Sequence, residues 1–235
     1  MGSKVIEIYK KLLSSLGSQG WWPADLEYHR RNNSDYRFEI IVGAILTQNT
    51  AWNNVIPAIE NLKRENLLTV QGIRDVNLEY LEELIRSTGY YHQKALRLKT
   101  FVSYLLDKYN GSLDELFSRD LYELREELLE VKGVGPETAD SVLLYAGDKP
   151  VFVVDTYTKR LCQRFPLPVE KLVYDEIQCF FQNNLECFFR GEELIEVYKE
   201  YHALIVYLGK TWCKRKPLCS SCPIREDCSY SKPVS

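Results

Sequence analysis

The sequence predicts an all-α fold, and two observations carry this prediction. Apolar residues recur at three- and four-residue spacing in residues 4–16 and again from about Arg37 to Ala146, which is the period of helices with one buried face. No segment shows a convincing alternation of apolar and polar residues, and the apolar run Val151–Val154 is too short to anchor a sheet. We therefore expect helices along most of the chain.

The helical pattern is interrupted at glycines and polar residues. The first helix is predicted over residues 4–16, and Gly17–Gly20 ends it. A loop that contains Trp21-Trp22-Pro23 follows. Later breaks are predicted at Gln48-Asn49, Leu67–Gly72, Thr88-Gly89, Asn110-Gly111 and Gly133-Val134-Gly135.

Short polar side chains mark the starts of several helices. Ser112 is placed to cap a helix over Leu113–Phe117, and Asp120 is placed to cap Leu121–Val131, because their oxygens can accept the free amides of a first turn. A helix is also predicted from Asp155 to about Arg164. A Pro166–Pro168 turn and helices near Tyr174–Asn183 and Glu192–Leu208 complete the chain.

Length and charge limit the class of protein. The 235 residues can form one large core or two small domains. No run approaches the roughly 20 apolar residues that span a bilayer, and the N-terminus lacks the pattern of a signal peptide, so we expect a cytoplasmic protein without membrane contact. The net charge is −3, so contact with nucleic acid must come from local basic clusters. The candidates are Lys159-Arg160 with Arg164, and Lys210 with Lys214, Arg215 and Lys216; solvated surface charge is the other interpretation.

The seven cysteines fall into two sets. Cys213, Cys219, Cys222 and Cys228 form a C-x5-C-x2-C-x5-C pattern, which is the spacing of metal ligands. In a reducing cytosol this pattern indicates a metal site rather than disulfides. The spacing fits a [4Fe–4S] cluster or one zinc ion. The other three, Cys162, Cys179 and Cys187, are predicted to be buried thiols.

The segment from residue 129 to residue 155 organises the chain. Gly133-Val134-Gly135 separates two helical patterns, and two glycines one residue apart permit a tight hairpin because glycine adopts positive φ at little cost. Pro136 suits the first turn of the second helix. The exposed amides of such a hairpin, next to Lys132, can hold a phosphate. The run Val151–Val154 then leads to Asp155.

This segment resembles the helix-hairpin-helix (HhH-GPD) DNA glycosylases of the endonuclease III superfamily. Other blocks that resemble the family are Phe38–Thr50, Gly89–Leu98 and His202–Cys228. The resemblance implies a six-helix bundle over residues 30–148 and a second lobe from residues 1–29 and 149–235, with a DNA cleft between them. It also implies a [4Fe–4S] cluster on the four cysteines, although the first spacing is five residues here and six in the family.

Asp155 corresponds to the catalytic aspartate of that family. On sequence alone an N-cap of the helix that follows is the favoured interpretation, and the hairpin with the family resemblance turns the preference towards catalysis. The two interpretations are compatible because a cap holds the carboxylate ionised. Breaking an N-glycosidic bond develops positive charge on the sugar. A carboxylate can stabilise this charge and position or deprotonate a water.

Glu137 stands where family members that also cut the strand carry a lysine. A carboxylate cannot form the Schiff base that β-elimination needs, so the AP-lyase activity is predicted to be weak or absent. Glu137 is also a favourable acid in the first turn of a helix.

The aromatic loop Trp21-Trp22-Pro23, together with Tyr90-Tyr91 and Glu137, is similar to the 3-methyladenine DNA glycosylase III branch. An alkylated purine is a cation that can stack on indole. Packing between the lobes is the alternative role of the two tryptophans. Gln48 corresponds to a glutamine that fills the space left by a flipped base, and an ordinary helix-end amide is its alternative.

We therefore predict a monofunctional DNA glycosylase of base excision repair that acts on alkylated purines in double-stranded DNA. It is expected to be a monomer, associated with the nucleoid through DNA. One alternative is an endonuclease III-like glycosylase for oxidised pyrimidines or mismatched bases. Another is a non-catalytic DNA-binding or redox-sensing module.

Overall fold

The computed structural model describes residues 4–231, and every regular element in this range is a helix. This confirms the all-α prediction. The α-helices are α1 (Lys4–Leu16), α2 (Leu26–Arg31), α3 (Tyr36–Leu46), α4 (Trp52–Arg64), α5 (Val70–Asp75), α6 (Leu78–Leu84), α7 (Tyr91–Tyr109), α8 (Leu113–Ser118), α9 (Leu121–Glu130), α10 (Pro136–Ser141), α11 (Thr156–Arg164), α12 (Tyr174–Leu185) and α13 (Gly191–Thr211). A π-helix, Val142–Ala146, continues α10, and short 3-10 turns occupy Arg86–Thr88, Cys219–Ser221 and Ser229–Ser231.

The chain separates into two compact units. One consists of Trp22–Lys149 and contains α2 to α10. Its core includes the long apolar helix α3, in which Phe38 and the residues from Ile40 to Leu46 are buried. Residues 22–29 belong to this unit, whereas the predicted bundle began at residue 30. The role of these units as DNA-binding lobes stays a prediction.

The other unit joins residues 4–21 with residues 150–231. Helix α13 packs against α11 and α1, and α1 also packs against α12. An aromatic group fills the centre: Phe152 stacks on Phe181 at 4.6 Å between ring centroids, and Tyr198 and Tyr201 lie edge-on to Phe152. The Tyr201 hydroxyl donates to the Val5 carbonyl at 2.9 Å, which ties α1 to α13.

The predicted caps are confirmed. The Ser112 hydroxyl accepts from the Glu115 amide at 3.2 Å, and the Asp120 carboxylate accepts from the amides of Tyr122 and Glu123. Asn110 and Gly111 both have positive φ at the end of α7, as the predicted break requires. In the part of the chain that the structure describes, no helix has the length and apolar character needed to cross a membrane.

Three predictions were wrong in detail. Helix α2 was not expected, because a six-residue polar helix has no apolar period. The sequence feature that marks it is the Asp25 cap, which accepts from the Tyr28 amide at 2.9 Å.

Gly72 lies inside α5 and not in a break between helices. A Cβ there would lie 2.8 Å from the Leu67 backbone, so the glycine serves a close approach. Cys179 and Cys187 are exposed, and of the three scattered cysteines Cys162 is buried.

Candidate active site

Asp155 is held at the start of α11 by backbone and side-chain contacts. The preceding run Val151–Val154 has no regular secondary structure and is at most 4% exposed. Two glutamine side chains of α12 hold this run in place. The Phe152 backbone amide donates to Gln182 Oε1 at 3.0 Å, and Gln178 Nε2 donates to the Phe152 carbonyl at 2.7 Å. Asp155 is itself 7% exposed.

The Asp155 carboxylate has two different oxygens. Oδ1 accepts from the Thr158 amide at 2.7 Å and from the Thr158 hydroxyl at 2.9 Å, which is the predicted N-cap. Oδ2 lies 3.8 Å from Nε2 of His202 on α13. One oxygen is therefore used to fix the group, while the other is directed towards a neighbouring titratable side chain.

Two basic side chains of α13 accompany Asp155. Burial lowers the pKa of His202, the charge of Asp155 acts in the opposite direction, and Lys210 lowers it further. Burial also lowers the pKa of Lys210, partly offset by Asp155. The Lys210 ammonium lies 5.9 Å from the centroid of the Trp21 ring. Asp155, His202, Lys210 and Trp21 thus form a group within one unit of the chain.

A glycine sets the spacing of α11 and α13 beside this group. A Cβ added to Gly209 would lie 2.2 Å from the Tyr157 ring, so only glycine fits there. Gly209 directly precedes Lys210, and Tyr157 follows two residues after Asp155. Gly209 is visible in the sequence, but its role could not be predicted, because the sequence does not show that α13 packs against α11 at this residue.

The glycine hairpin has the predicted form with one correction. Gly133 has φ +94°, whereas Gly135 is extended with φ −103°, so the hairpin needs positive φ at only one glycine. Pro136 occupies the first turn of α10, as predicted. Val134 is buried and Gly135 is exposed, and a Cβ on Gly135 would meet nothing within 4 Å. Lys132 and Glu137 are exposed on either side.

Gln48 is bonded to this hairpin. Its Nε2 donates to the Gly133 carbonyl at 3.0 Å and contacts the Thr138 hydroxyl at 2.8 Å. Its Oε1 accepts from Arg97 of α7, and the Arg97 stem lies so close that a Cβ on Gly133 would meet its Cγ at 2.5 Å. We call Gln48, Arg97 and Thr138 the hairpin clamp. Arg97 was not anticipated, because nothing in the sequence links α7 to the hairpin.

The aromatic loop is divided between the two units. Trp22 packs beside Trp52 at 5.2 Å and Tyr145 at 5.4 Å between ring centroids, and a Cβ on Gly43 would lie 2.9 Å from the indole. Trp21 belongs to the other unit, and Pro23 is exposed.

A buried polar network holds the chain just after Pro23. Glu39 Oε2 lies 2.8 Å from His29 Nε2 and accepts from the Asp25 amide at 3.2 Å. Glu39 Oε1 pairs with Lys63 at 3.1 Å. The network was not predicted from sequence.

The four tail cysteines line one cavity, and none of them forms a disulfide. Between residues 4 and 231, no three His, Cys, Asp or Glu side chains are close enough to hold a single metal ion. The other walls of the cavity are mostly apolar. They include Leu161, Phe165, Leu208, Trp212 and Ile224. Four thiols around an apolar cavity fit the ligand set of an iron–sulfur cluster.

Two arginines of α11 hold the cysteine loop. Arg160 Nη1 donates to the Cys213 carbonyl at 2.9 Å, and Arg164 Nη1 donates to the Lys214 carbonyl at 2.6 Å and lies 3.4 Å from Cys213 Sγ. The side chains of Lys214, Arg215 and Lys216 are exposed. The backbone of the loop is therefore fixed while its cations face solvent.

Comparison with known proteins identifies the class. The model of the HhH-GPD superfamily of base excision DNA repair proteins matches residues 42–186. The chain therefore belongs to this superfamily, and it is a base excision DNA glycosylase of the helix-hairpin-helix type.

Individual relatives cover nearly the whole chain. A Methanocaldococcus jannaschii protein provisionally named as a DNA repair glycosylase is 47% identical over 226 residues, 95% of each chain. The structure of H. pylori 3-methyladenine DNA glycosylase bound to 1,N6-ethenoadenine is similar, with a TM-score of 0.67 and 30% identity over 88% of this chain and 97% of that one. A non-covalent endonuclease III–DNA complex gives a TM-score of 0.70 and 27% identity over 97% and 95%.

Proposed function

We propose that this protein is a monofunctional DNA glycosylase that removes alkylated purines of the 3-methyladenine and 7-methylguanine type from double-stranded DNA. The observation that carries the proposal is Asp155, a buried carboxylate fixed through one oxygen by its own helix. Such a group beside the sugar favours hydrolysis of an N-glycosidic bond. The base must first be rotated out of the duplex, because its glycosidic bond is otherwise shielded by stacking.

Asp155 acts in two ways in the proposed reaction. Its negative charge stabilises the oxocarbenium ion that forms as the base departs. It also orients a water and accepts its proton when the water adds to C1′. The capped oxygen keeps the carboxylate in place, so little reorganisation is needed when charge develops.

DNA contact is assigned to two surfaces. The hairpin Gly133-Val134-Gly135 offers backbone amides to a phosphate, and Lys132 adds a cation. Lys214, Arg215 and Lys216 supply the second surface. For Gln48 the clamp favours a role in holding the hairpin. Filling the space of a flipped base would require Gln48 to release Gly133 and Thr138.

The choice of alkylated purines rests on the similarity to the H. pylori enzyme and on Trp21, Trp22 and Pro23. A methylated purine carries positive charge, which weakens its glycosidic bond and favours stacking on indole by about 1–2 kcal/mol when desolvated. The leaving group then needs no protonation. Glu137 excludes a Schiff base at its own position, so base release proceeds by hydrolysis.

A second candidate function is favoured by one observation. Lys210 places an ammonium over Trp21. This charge repels a cationic base and can donate a hydrogen bond to a neutral one. The similarity to endonuclease III points in the same direction. An oxidised pyrimidine or a mismatched base is therefore the alternative substrate.

We propose that Cys213, Cys219, Cys222 and Cys228 hold a [4Fe–4S] cluster, with zinc as the alternative. The cluster would supply structural order and no chemistry at the sugar, because four thiolates leave no obvious open position. Iron and sulfide analysis with absorption near 400 nm tests this assignment. A protein that contains one zinc and no iron would contradict it.

Base release from several duplexes tests the substrate. We would incubate DNA treated with a methylating agent and identify the free bases by chromatography, alongside duplexes that contain thymine glycol or a U·G or T·G mismatch. Release of 3-methyladenine or 7-methylguanine without strand cleavage is expected. Excision limited to the oxidised or mismatched bases would support the second candidate and leave Trp22 with a packing role.

A further inference from the structure

We infer that Lys210 is a nucleophile for the abasic sugar, so that a slow β-lyase step through a lysine outside the hairpin helix can follow the hydrolytic release of the base. The inference rests on the proposed role of Asp155. It assigns the strand-cleaving chemistry, which Glu137 cannot perform, to a residue of α13. Its observable is a covalent adduct between the protein and abasic DNA.

The position of Lys210 is the first argument. The Gly209–Tyr157 contact brings α13 and α11 so close that a Cβ would meet the ring at 2.2 Å, and this contact adjoins both Lys210 and Asp155 in sequence. The charges of Lys210 and Asp155 act on each other and both act on His202. The Lys210 ammonium lies 5.9 Å from the centroid of the Trp21 ring, and Trp21 belongs to the proposed base pocket, so the amine is placed at the pocket that would hold the damaged nucleotide.

The state of the amine is the second argument. A nucleophilic lysine must lose its proton, and an ordinary lysine does so rarely at neutral pH. Burial lowers the pKa of Lys210 despite the opposing charge of Asp155. Trp21 covers one side of the ammonium at 5.9 Å, which removes part of its solvent. Lys132, the basic neighbour of the hairpin, is exposed to solvent.

The chemical step follows the general course of imine formation. The neutral Lys210 amine adds to the C1′ aldehyde of the ring-opened abasic sugar, and loss of one water leaves a C=N bond. The Asp155 carboxylate then accepts the C2′ proton. The electron pair of that C–H bond forms a C2′=C3′ double bond, and the 3′ phosphate leaves with the electrons of its C–O bond. Hydrolysis of the imine restores the lysine.

Borohydride trapping on a preformed abasic duplex tests the inference without base release. The wild-type protein is expected to give an adduct, and Lys210→Arg is expected to lower its yield at least 10-fold. Arginine keeps the positive charge but cannot form the imine. Comparison of the wild type with Lys210→Arg therefore separates the nucleophilic effect of Lys210 from its electrostatic effect. Lys10→Arg, an exposed lysine of α1 with no assigned role in binding or catalysis, is the matched control and is expected to trap like the wild type. Peptide mapping by mass spectrometry identifies the modified lysine.

Two results would overturn the inference. One is equal trapping by wild type and Lys210→Arg, with the adduct on another residue. The other is no adduct with wild type under conditions in which Glu137→Lys, which restores the family's lysine, traps strongly. Thermal unfolding and affinity for the abasic duplex are measured for each variant to show that it folds and binds. Because the duplex is already abasic, failure here leaves the proposed base-release function untouched.

Discussion

In the proposed mechanism a single side chain has a structural and a chemical task at once. Asp155 shows this most clearly, because Oδ1 caps α11 while Oδ2 is directed towards His202. Asp120 performs the capping task alone on α9. The comparison of these two aspartates allows the chemical task to be measured separately.

Asp155→Asn should abolish most base release while the fold survives. Asparagine caps a helix about as well as aspartate, so the midpoint of thermal unfolding should change little. Without the negative charge, the single-turnover rate of base release should fall by about 10²–10⁴-fold. The control is Asp120→Asn, which changes a cap and no catalytic group. Full activity of Asp155→Asn would exclude the proposed mechanism.

Lys94 gives a pH-dependent prediction. It is 1% exposed, and its ammonium donates to the Thr88 carbonyl at 2.8 Å. Burial, with help from Arg97, lowers the pKa of Lys94 from 10.5 to about 8. Between these two pH values the unfolded chain binds the proton and the folded chain does not, so the free energy of unfolding should rise with pH across this window.

Replacement of Lys94 by methionine should remove this pH dependence. Denaturant unfolding at several pH values between about 8 and 10.5 would measure it, with the exposed Lys10→Met as the control. An unchanged slope in Lys94→Met would show that Lys94 titrates normally in the folded protein.

At the scale of elements, contacts between helices decide how the hairpin is held. Gly133 turns the chain, but Gln48 after α3 and Arg97 on α7 fix its geometry. The hairpin itself was predictable, since two glycines and Pro136 form a local signal. The clamp was not, because its three residues come from distant parts of the sequence and no local pattern pairs them.

Loss of the clamp should weaken DNA binding. A hydrogen bond to a charged group contributes about 1.5–3 kcal/mol, so Arg97→Ala is expected to reduce affinity for an abasic-analogue duplex by roughly tenfold or more. Gln48→Ala should have a similar effect. The loss of binding free energy in the double variant should not exceed the sum of the losses in the two single variants. It should be smaller than that sum if the two residues act as one unit. Arg74→Ala, which removes an exposed arginine of the same unit, is the control.

At the scale of the whole molecule, a net charge of −3 must be reconciled with binding to DNA. The cysteine loop concentrates three cations, and Arg160 and Arg164 hold its backbone. We therefore propose that local charge on this loop, rather than the overall charge of the protein, attracts phosphate.

The salt dependence of binding measures these contacts. Lys214→Gln and Lys216→Gln should each reduce the slope of log K against log salt by about one, uniformly across DNA sequences. The exposed Lys10→Gln on α1 should leave the slope unchanged. A wild-type slope in both tail variants would show that the loop does not touch phosphate.

The sequence by itself determined the helical class, the hairpin, the caps and the resemblance to glycosylases, because each depends on residues close together in the chain. It also marked the four cysteines by their spacing. Tertiary structure decided the rest. The clamp on the hairpin, the buried Lys94, the packing of Trp22 and the close approach of Gly209 to Tyr157 all join distant segments. Burial and charge at these places come from which helices touch, and helical periodicity does not encode that choice.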